Sequence, residues 1–331
     1  MSVPEPDSQR SVASDAAQAG APGGVAGLSR WPHFILALLA VCGSLVDLRG
    51  AGVPADATPG IRSWEVRPGP GAKAGFTLLS PASTGVWFTN LLRGDLALTN
   101  AVAHNGSGVA LGDVDGDGWQ DIYLCGLQGR NRLYRNLGNW RFKDLDPGAA
   151  ACEGQLSAGA AFADVDGDGD LDLLVNGIAA GTRLFLNDGK GRFTESKNSG
   201  LSRTASPTSL ALADIDGDGD LDVVLTQVGG PPMLLRNEQK LGHHFLRLKL
   251  VGTKSNRDAI GAWVKVRLGK QTLSRQVMPT RSYLSASELP VTIGLGQATQ
   301  VEALEILWPN GEKQLIAQPR IDGLIVIEQS R

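Results

Sequence analysis

Gly108-Val-Ala-Leu-Gly-Asp-Val-Asp-Gly-Asp-Gly-Trp-Gln-Asp-Ile-Tyr-Leu124 is a stretch that this chain uses three times. The second copy is Gly159-Ala-Ala-Phe-Ala-Asp-Val-Asp-Gly-Asp-Gly-Asp-Leu-Asp-Leu-Leu-Val175, and the third is Ser209-Leu-Ala-Leu-Ala-Asp-Ile-Asp-Gly-Asp-Gly-Asp-Leu-Asp-Val-Val-Leu225. Their first aspartates, Asp113, Asp164 and Asp214, stand 51 and 50 residues apart. A repeat of that period marks solenoids and propellers, whose units bury their apolar faces only against a neighbour. A second half follows each copy: Arg132-Leu-Tyr-Arg-Asn-Leu-Gly-Asn-Trp-Arg-Phe142, Arg183-Leu-Phe-Leu-Asn-Asp-Gly-Lys-Gly-Arg-Phe193 and the shortened Met233-Leu-Leu-Arg-Asn237. The third loses its Gly and Phe after Asn237, which marks the end of the array. Short alternating runs (Val109-Ala-Leu, Asp121-Ile-Tyr-Leu, Arg132-Leu-Tyr-Arg and Trp140-Arg-Phe-Lys) predict four antiparallel strands per unit, as in a propeller blade. No part of residues 76–331 carries an amphipathic helical pattern.

Between the first two strands lies a loop with carboxylates at positions 1, 3, 5 and 9. These are Asp113, Asp115, Asp117 and Asp121; Asp164, Asp166, Asp168 and Asp172; and Asp214, Asp216, Asp218 and Asp222. Such spacing brings four carboxylates around one ion, and position 7 (Trp119, Asp170 or Asp220) adds a backbone carbonyl. Calcium takes six to eight oxygens in a forgiving geometry, with water completing the shell. Glycines at positions 4 and 6 allow the sharp wrap. Magnesium resists giving up its water to an all-protein cage, and without nearby His or Cys the loops do not suit zinc or copper. An EF-hand would need a bidentate Glu at position 12 and flanking helices; position 12 here is Leu124, Val175 or Leu225. Simple Asp-Gly hairpin turns would explain one aspartate before a glycine, not four at matching offsets repeated three times. About three calcium ions are therefore expected.

The rest of the chain sets the context. Its 43 glycines in 331 residues lie well above the usual ~7% and favour tight turns over long helices. A net charge of −3 implies no nucleic-acid partner. Residues 1–30 are rich in Ala, Gly, Ser and Pro. They precede an apolar run at 34–46 that suits a signal-peptide core or an uncleaved membrane anchor, and is short for a spanning helix. Residues 47–75 continue as linker. The expected organisation is a leader over 1–75, calcium-binding repeats over 76–240 and a separate β domain over 241–331, all exported (periplasmic, cell-surface or secreted). Phe76-Thr-Leu-Leu and Val86-Trp-Phe-Thr offer strands for a partial fourth blade; otherwise the array stays open, is capped by the C-terminal domain or closes by homo-oligomerisation. Cys42 falls in the apolar run, while Cys125 and Cys152 make either a disulfide or two buried thiols.

In the C-terminal part, Phe245-Leu-Arg-Leu-Lys-Leu and Trp263-Val-Lys-Val-Arg-Leu alternate cleanly. Arg247, Lys249, Lys265 and Arg267 would point outward, as a solvated face or a basic surface for an acidic partner or glycan. His243-His244 suits a domain junction better than a metal pair. Arg93-Gly94-Asp95 and Asn105-Gly-Ser107 match an integrin tripeptide and a glycosylation acceptor, both short motifs with little weight. No Gly-x-Ser-x-Gly or His-Glu-x-x-His motif supports hydrolytic chemistry.

The stretch from Gly108 to Phe142 resembles FG-GAP/VCBS-type repeats of integrin-like propellers. Downstream, His244 to Val266 (with Ser255-Asn-Arg-Asp-Ala-Ile-Gly261), Ser282-Tyr-Leu-Ser285, Gly294-Leu-Gly296 and Leu307-Trp-Pro-Asn-Gly311 are similar to the ASPIC/UnbV domain. Repeats followed by this domain are the layout of the cartilage acidic protein family and its bacterial relatives. The resemblance implies an all-β fold, a partial or small β-propeller-like array followed by a β-sandwich-like domain. It assigns calcium to the aspartate loops and supplies no catalytic residue. The expected function is an exported, non-enzymatic recognition or adhesion module with an unknown protein or glycan ligand. The alternative is an accessory or enzymatic component of a biosynthetic or surface-processing system.

Overall fold

The computed structural model describes residues 75–94, 103–105, 107–201 and 204–331. The leader, its apolar run at 34–46, Cys42, Asp95 and Gly106 lie outside the described residues. By contacts the chain divides into Met1–Phe76 and Thr77–Arg331; the second unit holds both the repeats and the C-terminal β region.

Among the described residues the architecture is nearly all-β, with eighteen strands in five sheets. The first sheet is β1 (Val109–Gly112), β2 (Asp121–Leu124), β3 (Arg132–Asn136) and β4 (Phe142–Leu145), a four-stranded antiparallel meander. The second repeats it with β5 (Ser157–Ala163), β6 (Asp172–Gly177), β7 (Gly181–Asn187) and β8 (Phe193–Glu195). The third has three strands, β9 (Pro207–Ala213), β10 (Asp222–Gln227) and β11 (Met233–Leu235). Each aspartate loop joins the first two strands of its sheet, which pair so that Gly112 faces Asp121, Ala163 faces Asp172 and Ala213 faces Asp222.

Period-two alternation is why these segments become strands: apolar residues on one face pack against the next sheet. Tyr123, Leu133, Phe162, Leu173 and Phe185 share a core between the first two blades. Ala161, Leu174, Leu210, Leu212 and Leu225 share another between the second and third. Burying one such leucine fully contributes about 1.5–3 kcal/mol, so the blades hold by stacking.

The C-terminal region is a sandwich around a single core. One sheet is β12 (His244–Val251) flanked by β15 (Val291–Gly296) and by β18 (Leu324–Glu328), the latter pairing parallel. The other is β13 (Trp263–Leu268), β14 (Gln271–Gln276), β16 (Ala303–Leu307) and β17 (Lys313–Ala317). Leu246, Leu248, Val264, Val266, Ile293 and Ile306, from both sheets, are fully buried together.

Three details depart from expectation. The four basic residues do not form one face, because Arg247 and Lys249 lie on one sheet and Lys265 and Arg267 on the other. Arg247 does not face solvent either: its side chain is 12% exposed and pairs with Asp214 and Glu288. Residues 75–94 form no fourth blade, and carry only the four-residue helix Pro81–Thr84, capped by Ser80. The fourth strand of the first blade begins at Phe142 rather than Trp140, since Asn139 and Trp140 take positive φ of 52° and 61° and close the turn. Cys125 and Cys152 are free and buried. Among the described residues no helix is long and apolar enough to cross a membrane.

Candidate metal centres

Each loop is wound by its own aspartates. The position-3 carboxylate accepts the position-5 N–H (Asp115 from Asp117, Asp166 from Asp168, Asp216 from Asp218), and position 5 accepts from position 7. The glycines at positions 4 and 6 take left-handed φ, 74° and 102° at Gly167 and Gly169, which a side chain would strain. The first aspartate closes the wrap: Asp113 accepts from Asp117 and Gly118, Asp164 from Gly167, and Asp214 from Gly217 and Gly219.

Position 9 has a second task in every copy. Both oxygens of Asp121 accept backbone N–H groups, from Val114 and Asn136; those of Asp172 from Val165 and Asn187; those of Asp222 from Ile215 and Asn237. This carboxylate thereby ties the loop to the third strand.

The donor set fits a hard divalent cation. Ligand oxygens of Asp113, Asp115 and Asp121, of Asp164, Asp166 and Asp172, and of Asp214, Asp216 and Asp218 lie within 4.8 Å of one another. Two oxygens at calcium's usual bond length span about 5 Å across the ion. Asp117 and Asp168 fall outside these groups in the first two loops, and Asp222 outside the third. At position 7 the Trp119 side chain is exposed, Asp220 accepts from Gln239 Nε2 at 2.6 Å, and Asp170 packs beside Gly189.

Without a cation these carboxylates are uncomfortable. Burial pushes Asp121 and Asp164 up to about 7 and Asp172 up to about 8, and the neighbouring aspartates add to the shift. Asp113, Asp115 and Asp166 move in the same direction for the same first reason. Burial followed by the Asp168 charge lifts Asp170 to about 6.

Compensation differs between loops, a point the repeat pattern conceals. Arg135 lies against Asp115 and Asp117 in the first loop, at 2.5 and 3.1 Å, and Arg236 does the same for Asp216 and Asp218 in the third, at 2.7 and 3.7 Å. The matching residue in the second blade is Leu186. That loop has instead the buried Arg275 from the sandwich, 3.9 Å from Asp164.

The sandwich docks directly on the second and third loops. Gly294 N–H donates to Asp164 at 2.8 Å, Gly296 N–H to the Gly167 carbonyl at 2.9 Å, and Arg275 to the Gly169 carbonyl at 2.7 Å. His243 meets the Asp166 carbonyl at 2.7 Å, which puts the histidine pair at the junction. Arg247 contacts Asp214, and Glu288 accepts the Asp214 N–H at 3.1 Å.

Sequence reasoning passed over one recurrent residue. Asn187 Nδ2 donates to the Val114 carbonyl of the preceding loop at 2.8 Å, and Asn237 Nδ2 does the same to Val165 at 2.8 Å. The signal was an asparagine fifteen residues after position 9 in all three copies.

Stacked antiparallel blades of four, four and three strands, each with an acidic loop between its first two strands, define a propeller-type repeat protein with candidate divalent-cation sites, here docked on a β-sandwich. In agreement with the sequence resemblance, residues 113–175 and 175–225 match the FG-GAP-like repeat family, and residues 252–331 match the ASPIC and UnbV family. The chain is 30% identical over 118 residues to cartilage acidic protein 1 of Xenopus tropicalis, a match covering 32% of this chain and 18% of that protein. Among solved structures, a mutant of a Synechocystis apocarotenoid oxygenase aligns over 64% of this chain and 60% of its own at 13% identity, with a TM-score of 0.21.

Proposed function

We propose that this chain is an exported calcium-binding repeat protein that serves as a recognition or adhesion module and not as an enzyme. The observation that carries the proposal is the convergence of three carboxylates in each of three loops, from positions 1, 3 and 9 in the first two and 1, 3 and 5 in the third, with the first aspartate buried in every copy. Asp113, Asp115, Asp117 and Asp121 and their counterparts would hold the ions, with the position-7 carbonyls of Trp119, Asp170 and Asp220. Bound calcium would supply fixed positive charge where the fold now sets carboxylates against one another. The apolar run at 34–46 and a relative named for cartilage support export.

A recognition surface is suggested beside the first loop. Trp119 and Trp140 are 53% and 72% exposed there, and Leu137 is 55% exposed. Exposed aromatics at one place suit a protein or glycan partner.

Calorimetric titration of the chelator-treated protein tests the calcium reading. About three ions per chain are expected, each raising stability by about 2.7 kcal/mol at a hundred times its dissociation constant. A melting temperature that ignores both millimolar calcium and chelator would overturn it.

A further inference from the structure

Among the described residues the third blade is one strand short. The first two sheets have four strands, whereas β9, β10 and β11 stand there without a fourth. What is missing can be read from the second blade. There β8 delivers Phe193, 7% exposed, which stacks on Phe162 with ring centroids 6.2 Å apart. Phe193 shares its core with Val114, Leu171, Leu173 and Phe185.

The third blade sits on the second as the second sits on the first, because the asparagine stitch repeats: Asn187 to Val114, then Asn237 to Val165, both at 2.8 Å. The counterparts of Val114, Leu171, Leu173 and Phe185 are Val165, Leu221, Val223 and Leu235. These four line a cavity of about 420 Å³ where a fourth-strand aromatic would sit. Val165 and Leu235 are half-buried, while Val114 is 2% exposed and Phe185 fully covered.

The strand edge beside the cavity is open as well. In the second blade the Leu184 carbonyl accepts the Ser196 N–H at 2.9 Å, holding the fourth strand. The counterpart of Leu184 is Leu234, whose side chain is 70% exposed. Asn237 N–H turns inward to Asp222, so alternation turns the backbone groups of Leu234 and Arg236 outward. No strand among the described residues meets them.

Side-chain chemistry narrows the occupant. In the complete blades an arginine on the third strand pairs with an acid on the fourth, Arg183 with Glu195 at 2.8 Å and Arg132 with Asp144 at 3.0 Å. In the third blade that arginine is replaced by Met233; Arg236, the counterpart of Arg135, is 61% exposed and pairs with Asp216 and Asp218. In the β7–β8 register Asn187 opposes Phe193 and Leu186 opposes Thr194. Transferred to β11, Asn237 would face an aromatic residue, Arg236 the next residue, and Met233 would lie diagonal to the one after.

We propose that the open edge of β11 and the cavity behind it bind an extended peptide segment of a partner protein, aromatic–acidic–apolar in sequence, added antiparallel as the missing fourth strand. Strand addition gains affinity from main-chain hydrogen bonds and specificity from pockets for alternate side chains. Asp166 lines part of the cavity and Arg236 pairs with Asp216 and Asp218, so the acidic preference rests on the calcium reading. The apolar wall and the strand edge are made by other residues and are tested by the peptide's Phe.

The test uses the full chain in calcium and a fluorescein-labelled peptide Gly-Arg-Phe-Asp-Val-Ser, patterned on Gly191–Ser196, with binding followed by anisotropy. Saturable binding is expected, with at least about a tenfold loss when the peptide's Phe becomes Ala, the fold-change for losing a buried aromatic. Leu234→Pro removes an outward N–H but no bond to β10, and should abolish binding while the calcium-dependent melting curve is kept. If Leu234→Pro fails to fold, Leu186→Trp, which fills the cavity from the neighbouring blade, decides by the same readout. Equal affinity for the Phe and Ala peptides, or no saturation up to about 1 mM peptide, overturns the proposal. So does a wild-type dimer in sedimentation that Leu234→Pro makes monomeric, since a second copy would then be the occupant.

Discussion

Asp172 is fully buried, and both its oxygens already accept backbone N–H groups, from Val165 at 3.0 Å and Asn187 at 2.9 Å. Burial nevertheless holds its pKa at about 8, well above the ordinary 3.8, with Asp166 and Asp164 adding repulsion. In the metal-free fold such a group keeps its proton over a range where the unfolded chain has lost it. Stability therefore falls as pH rises from about 4 through about 8. Asp121 and Asp164, at about 7, act in the same sense. We expect the chelated protein to melt at a higher temperature at pH 5.5 than at pH 8, and calcium to flatten or reverse that order by competing with the protons. A chelated melting temperature that climbs over the same range would count against this. Asp172→Asn keeps one acceptor and cannot ionise. It should lose the second loop's calcium site while costing the chelated protein little at pH 8.

Pairs of elements meet through contacts that a period-two pattern does not encode. Strand positions were legible because a half-buried strand must alternate, and the loops because four carboxylates at fixed offsets have few other uses. The docking of the sandwich on the second and third loops was not, because its contacts join residues distant in sequence, several of them through backbone amides: Gly294 to the Asp164 carboxylate, Gly296 to the Gly167 carbonyl. Arg247 looked like an outward residue on an alternating strand, and it does leave the sandwich core; a neighbouring loop then covers it. Gly294 is the most demanding of these positions. A Cβ there would collide with the Gly167 backbone and the Asp164 carboxylate. Gly294→Ala should destabilise the protein by about 1–3 kcal/mol, the usual cost of overpacking, whereas Gly311→Ala adds a Cβ in open space and meets only its φ of 87°. Asn187→Ala, which removes the stitch between the first two blades, should cost about 1–3 kcal/mol by orphaning buried carbonyls. Urea unfolding of the three variants at fixed calcium ranks them.

Across the molecule, two of the three candidate ion sites are hydrogen-bonded directly to the sandwich, while at the first loop Gln120 shares a small cavity with Ser274 and Arg275. Calcium bound at Asp164 and Asp214 would neutralise carboxylates that also accept N–H groups from, or pair with, sandwich residues Gly294, Arg275 and Arg247. Ion binding and docking should then form one cooperative unit, since anything that binds only the folded arrangement stabilises all of it. Hydrogen exchange followed by mass spectrometry can separate this from local tightening. On chelation, protection should fall in the second loop and together with it in β15, whose Gly294 and Gly296 amides reach into that loop. β17, on the far edge of the other sheet, pairs only with β16 and should change least. If the loops alone lose protection while β15 keeps it, the sites stiffen turns without joining the two halves, and the sandwich is held by its own contacts. Joint loss would mean that calcium level sets whether the repeats and the sandwich present a single surface, including the open edge of β11.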